Sequence, residues 1–146
     1  AGFVLEKEIK PQDKVAVISQ NHVDYIETVL GIIMAGGVPV NINWRLAAPE
    51  LHHLLQFNEV KLTFFRSKDE SIRKEMGELT KEMCQCVDMD CIKEVLEGVE
   101  PLEQFIERED EDVLMHLHTS GTTKDCSVYK GTVYAGTDYL CTFPWL

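Results

Sequence analysis

"VAVISQNHVDYIETVLGIIMAGGVPVNIN", residues Val15 to Asn43, decides the fold class. "VAVIS" (Val15 to Ser19) is a short run rich in Val and Ile that suits a buried strand. A loop begins at Asn21, which can cap the helix that follows. Asp24 falls in the first turn of that helix. Val23, Ile26, Val29, Leu30, Ile33 and Met34 recur at helical spacing until Gly36 and Gly37 stop it. "VPVNIN" (Val38 to Asn43) returns to strand character, with its proline near the start, where a missing N–H costs least. The segment is expected to be a strand, a helix and a second strand.

Both flanks extend the alternation. In "APELHHLLQF", Pro49 fits the first helical position, and Leu51, Leu54, Leu55 and Phe57 make an apolar face. "VKLTFF" (Val60 to Phe65) reads as a third strand. Ser67 and Glu70 are spaced as a capping box for a helix with Ile72, Met76, Leu79 and Met83 on one stripe. "CQCVD" (Cys84 to Asp88) is a fourth strand, a short helical or irregular piece runs from Cys91 to Glu109, and "DVLMHLHT" (Asp112 to Thr119) is the fifth. The expected fold class is α/β: a layered, mostly parallel sheet with flanking helices, right-handed crossovers, and ligand sites at the carboxyl ends of the strands.

Bulk properties narrow the function. With 146 residues the chain falls in the usual range of one domain. Fourteen Lys and Arg stand against 25 Asp and Glu, a formal net charge of -11 that repels nucleic acid and anionic membranes at long range, so neither is an expected partner. A local nest of backbone N–H groups can still take an anionic small molecule. The longest apolar stretch, Val29 to Val40, holds three glycines and a proline and is shorter than the roughly 18 to 20 residues of a spanning helix, so no transmembrane segment is expected. No basic-then-apolar leader opens the chain. The five cysteines, Cys84, Cys86, Cys91, Cys126 and Cys141, are an odd, irregularly spaced set that reads as reduced thiols, and an intracellular location, cytoplasmic or organellar, is expected.

"HLHTSGTT" (His116 to Thr123) carries the candidate chemistry. Gly121 lets backbone approach an anion, and Thr119, Ser120, Thr122 and Thr123 supply hydroxyl and N–H donors. A polar turn can be written with the same residues. The loop is not a Walker A sequence, because Gly121 is followed five residues later by Cys126 rather than by Gly-Lys. No metal site is assigned. His116 and His118 alternate on a strand and could share a metal, but they read better as strand residues with satisfied nitrogens. His52 and His53 point about 100° apart on a helix and make a poor chelate. The spacing of Cys84, Cys86 and Cys91 lacks paired zinc knuckles. The acidic run from Glu107 to Asp112 reads as a solvated connection. Arg45 is expected to bond backbone carbonyls of its loop and Trp44 to pack.

Several of these segments, in this order, resemble the N-terminal part of the adenylate-forming enzymes, the superfamily of acyl-CoA synthetases, luciferases and peptide-synthetase adenylation domains. "DKVAVISQNHVDYIETVLGIIMAGGVPVNINWRLAAPELHHLL" (Asp13 to Leu55) is similar to the family's opening segment, a strand, a helix closing on Ala-Gly-Gly, a strand and an Asn-x-Arg-Leu turn. "DVLMHLHTSGTT" is similar to the strand and the start of its signature phosphate loop. The turn of Asn43, Arg45 and Leu46 points toward acid-CoA ligases. The resemblance implies a truncated part of the large N-terminal domain, and a reaction in which a carboxylic acid and ATP give an acyl-adenylate before coenzyme A takes the acyl group, with Mg²⁺ assisting. It implies β- and γ-phosphate contacts for Thr119, Ser120, Gly121, Thr122 and Thr123, and no catalytic residue is carried over.

Where the family continues Gly-Lys-Pro-Lys-Gly, this chain reads Lys124, Asp125, Cys126, Ser127, Val128, which removes a glycine and adds a carboxylate that should repel ATP. Residues 1–123 are therefore expected to form a partial AMP-binding domain and residues 124–146 a divergent tail, with the character of another reading frame or exon. The chain alone is expected to be inactive and to self-associate through exposed surface. Two other readings stand beside this one: a stand-alone mononucleotide-binding α/β module, and a non-catalytic interaction domain that pairs through open sheet edges.

Overall fold

The computed structural model describes residues 1–109, 111–118 and 128–129. Five parallel strands form the sheet: β1 (Lys14–Ile18), β2 (Val38–Ile42), β3 (Leu62–Phe65), β4 (Gln85–Asp88) and β5 (His116–His118). A two-residue β6 (Val128–Tyr129) adds antiparallel to β5, and the strand order is β4-β3-β1-β2-β5-β6. Between the strands lie α2 (Val23–Met34), α3 (Ala48–Phe57), α4 (Glu70–Glu82) and the single-turn α5 (Ile92–Val95), which follows a 3-10 turn at Met89–Cys91. A five-residue α1 (Gly2–Glu6) precedes β1. The expected α/β fold class, a parallel sheet with helices on both faces, is the observed one.

Side-chain alternation on β1 builds the two halves of the core. Ala16 and Ile18 face α3 and α4, and pack with Leu51, Leu54, Leu55, Ile72, Met76 and Leu79. Val15 and Val17 face the other way and pack with Phe3, Val29, Ile32 and Met89. The topology explains the division. Moving from β1 to β2 carries the chain one way along the sheet, and moving from β2 through β3 to β4 carries it back past β1, so right-handed crossovers put α2 on one face and α3 and α4 on the other. Being buried on both faces, β1 reads as an unbroken apolar run.

Local chemistry sets several ends differently from the sequence expectation. The cap of α2 is His22, not Asn21: His22 Nδ1 accepts the Asp24 N–H at 3.3 Å. The cap of α4 is Asp69, whose carboxylate accepts the Ser71 N–H at 2.8 Å, while Ser67 Oγ accepts the Asp69 N–H at 3.1 Å. A carboxylate two residues before the N2 amide has simply displaced the hydroxyl as the capping group. Pro49 is the second residue of α3 rather than the first. The strands start later or stop earlier than their apolar runs, most of all β5, which begins at His116 rather than at Asp112.

The irregular stretch before β5 is held by side chains. Gln12 bonds both backbone groups of Val113, at 3.0 and 3.4 Å, and the Arg108 guanidinium donates to the carbonyls of Val113, Ile33 and Gly37. Gly36, at φ +82°, lies under Ile106, which would meet an added Cβ at 3.0 Å. These contacts bring β5 back beside β2.

Candidate functional site at the carboxyl edge of the sheet

The carboxyl ends of β1, β2 and β3 open into a cleft of about 820 Å³. One wall is the turn after β1, from Gln20 to His22; the second is the turn after β2, from Trp44 to Pro49; the third follows β3, from Arg66 to Asp69, with Ser71 and Ile72. The turn after β1 leads to a helix on one face, and the turns after β2 and β3 lead to helices on the other. Diverging turns leave a crevice at that point, the usual ligand position of an open α/β sheet.

Charge in the cleft runs against that of the whole chain. Arg45 and Lys68 face it from different walls, and neither forms an ion pair among the described residues. The third cation, Arg66, is committed elsewhere: it donates to Asp24 at 2.6 Å, to Asp90 at 2.7 Å and to the Met89 carbonyl at 3.1 Å. The hydrogen bond from Arg66 holds the Asp24 carboxyl below the usual carboxylate range. Arg73 completes the network with Asp88, with Asp90 at 3.3 Å and with the Ser67 carbonyl at 2.8 Å. This five-membered set ties the ends of β3 and β4 to α2 and α4. The one acid lining the cleft, Asp69, is lowered by the Ser71 hydroxyl and by backbone N–H groups as it caps α4. The first turns of α3 and α4 also open here, with the positive ends of their dipoles. The arrangement suits an anionic ligand.

Arg45 departs from its expected role. Its backbone N–H donates to Asn43 Oδ1 at 3.0 Å, and its guanidinium lies 4.7 Å from the Trp44 ring centroid, stacked on the indole instead of bonding loop carbonyls. Trp44 packs against the α3/α4 core, as expected, and also serves as this platform. Lys68 and the Arg66 network were not singled out from the sequence. The available signal was "RSKD" directly after an apolar strand, since charged residues at a strand's carboxyl end fall in the ligand crevice.

The phosphate-loop candidates Thr119, Ser120, Gly121, Thr122 and Thr123 lie outside the described residues, as does the tail beyond except Val128 and Tyr129. They follow directly on β5, whose neighbour β2 supplies one wall of the cleft. His116 is buried on β5. His118 Nε2 lies 3.4 Å from Asn58 Nδ2, and burial pushes its imidazole below the ordinary histidine value, which keeps it neutral near pH 7. His52 Nδ1 meets Glu75 Oε1 at 2.7 Å across α3 and α4, and His53 stacks on Phe57. Among the described residues no three His, Cys, Asp or Glu side chains converge to hold a metal, and no helix is long and apolar enough to cross a membrane.

Comparison with known proteins gives the same reading from another direction. The family model described as AMP-binding enzyme matches residues 1–124. A medium/long-chain-fatty-acid–CoA/3-oxocholest-4-en-26-oate–CoA ligase of Mycolicibacterium smegmatis is 26% identical over 165 residues, covering 99% of this chain and 30% of its own length. A feruloyl-CoA synthase of an Amycolatopsis species is 45% identical over 47 residues, 32% of this chain and 10% of that protein. The inhibitor-bound N-terminal domain of FACL13 from Mycobacterium tuberculosis superposes with a TM-score of 0.74 at 26% identity, over 87% of this chain and 33% of that one. The chain thus spans about a third or less of the length of these relatives. Strand order, the cleft at the carboxyl edge and these matches agree: the chain belongs to the AMP-binding enzyme family, with the N-terminal region of adenylate-forming acyl-CoA ligases as its counterpart.

Proposed function

We propose that this chain contributes the first part of the adenylation domain of an ATP-dependent acid-CoA ligase, and that alone it does not complete the reaction. In that reading residues 1–123 are the domain portion and residues 124–146 a divergent tail. Thr119, Ser120, Gly121, Thr122 and Thr123 contact the β- and γ-phosphates of ATP, where preorganised donors would steady the charge of departing pyrophosphate. Arg45 and Lys68 attract the anionic portion of a substrate into the cleft beside that loop. The described residues supply no converging carboxylates for Mg²⁺, and no step is assigned to the ion.

The observation that carries this reading is the family match across residues 1–124, combined with a crevice lined by Arg45, Arg66 and Lys68 against the single acid Asp69, in a chain of net charge -11. Asp125 argues for inactivity, since it adds a negative charge two residues after the segment proposed to hold phosphate. The test is pyrophosphate release from ATP with a panel of medium-chain, long-chain and aromatic carboxylic acids. No release above the acid-free background is expected, and acid-dependent release by the isolated chain would overturn the inactivity. Thermal unfolding with AMP or ATP separates the alternative: a nucleotide-dependent rise in midpoint would favour an autonomous mononucleotide-binding module, which the switch-point cleft, formed within the described residues, makes the second reading.

A further inference from the structure

The edge of the sheet away from β5 carries chemistry that the proposed function does not use. β4 is the last strand on that side, with Cys86 directly opposite Thr63 of β3. Cys84 sits at a bend one residue before β4. Being two residues apart, Cys84 and Cys86 turn to the same side, and both pack against the α3/α4 half of the core. Cys84 Sγ lies 3.4 Å from Thr63 Oγ1. Cys86 Sγ lies 3.6 Å from the Cys84 carbonyl oxygen, so its sulfur is turned back along the strand toward Cys84. Cys84 is buried and Cys86 only partly so, which leaves the pair open to a small reagent arriving over the sheet edge.

We propose that Cys84 and Cys86 are a redox-active thiol pair, oxidised by a hydroperoxide to an intrachain disulfide. Cys84 is the attacking sulfur. The neighbouring Cys86 side chain, and to a smaller extent Thr63, lower its pKa against the opposing effect of burial, while the Cys84 side chain and burial raise that of Cys86. The Cys84 thiolate attacks the peroxide, an S–O bond forms as the O–O bond breaks, and the alcohol (water, for hydrogen peroxide) leaves with the proton. Cys86 then attacks the sulfur of the Cys84 sulfenic acid; the S–S bond forms, and hydroxide departs and takes the Cys86 proton as water. Two thiols are oxidised, and one hydroperoxide is reduced to an alcohol and water. In an extended strand, residues two apart are separated by about 6.6 Å, near the upper limit of a disulfide's Cα span, so this bridge is strained and easily reduced. Cys91 is exposed and, among the described residues, has no cysteine two positions away, which makes it an internal comparison.

The test uses the full chain, treated with equimolar hydrogen peroxide and alkylated. Cleavage before Asp88 and Asp90 then separates the pair from Cys91. The peptide with Cys84 and Cys86 should lose two hydrogens, take up no alkyl group, and regain both sites after dithiothreitol. In Cys86→Ser the reaction should stop at a Cys84 sulfenic acid that dimedone captures. Oxidation of Cys91 while the pair remains alkylatable would overturn the proposal, and so would sulfinic acid at Cys84 with Cys86 still free. The wild-type map decides the matter even if a serine variant folds poorly.

Discussion

On the α3/α4 side of the sheet, the helices direct most of their large apolar residues at the strands: Leu51, Leu54, Leu55, Ile72, Met76 and Leu79 are buried, and only Phe57, expected on the same face, stands 58% exposed at the end of α3. On the opposite side, α2 buries Val29 and Ile32, yet Val23, Ile26 and Leu30 stand 65%, 59% and 53% exposed. Both helices have apolar residues at helical spacing. α4 is polar around the rest of its circumference and can end against water; α2 has a second apolar stripe at i, i+3 and i+7 with nothing described on top of it. One layer is finished by the residues described, and the other presents a face suited to further protein.

Substitutions can break or sharpen this contrast. The largest effect is expected in the finished layer, where Met76→Ala should cost about 2–5 kcal/mol of stability in urea unfolding, by lost burial and an unfilled cavity. A cost no larger than that of a surface change would mean that this layer is loosely packed. The next effect concerns the ion network that fastens the layers together at the carboxyl edge. Arg66 holds the Asp24 carboxyl below its unfolded value, so the stability it contributes is full above about pH 4 and is lost as pH falls through the lower, folded value. Arg66→Met should therefore shift acid unfolding, followed by circular dichroism, to higher pH; coincident curves would show that the network adds nothing.

Smaller still is Asp69→Ala, which removes the α4 cap and should lower the thermal midpoint slightly, with Asp69→Asn restoring most of it because an amide oxygen also caps. The smallest effect on stability is expected in the other layer. Ile26→Lys should change it by no more than about 0.5 kcal/mol while reducing self-association in sedimentation velocity. A strong destabilisation there would mean that the stripe is part of the core after all.

Much of the fold was legible because its signals are local. Each of the five parallel strands and the three long helices falls where an apolar run or a helical stripe places it. The ends were less legible, since His22, Asn21, Ser67 and Asp69 all have side chains able to cap and only backbone direction chooses among them. α1 was not anticipated, because five residues carry too little periodicity to read. Of the candidate site, the loop after β5 was readable from its glycine and hydroxyls, whereas the cleft was not. Lys68 and Arg45 are distant in the chain, and the commitment of Arg66 to Asp24 and Asp90 exists only once three strand ends meet.

The sequence by itself determined the alternation of strands and helices, the parallel sheet and the family, because periodicity and turn residues act over a few positions. Tertiary structure decided which apolar stripe of α2 is buried, which cations stay unpaired at the carboxyl edge, and that the Cys84 sulfur meets the Thr63 hydroxyl of the neighbouring strand. Those are outcomes of strand order and crossover hand, which bring together residues that no local pattern connects.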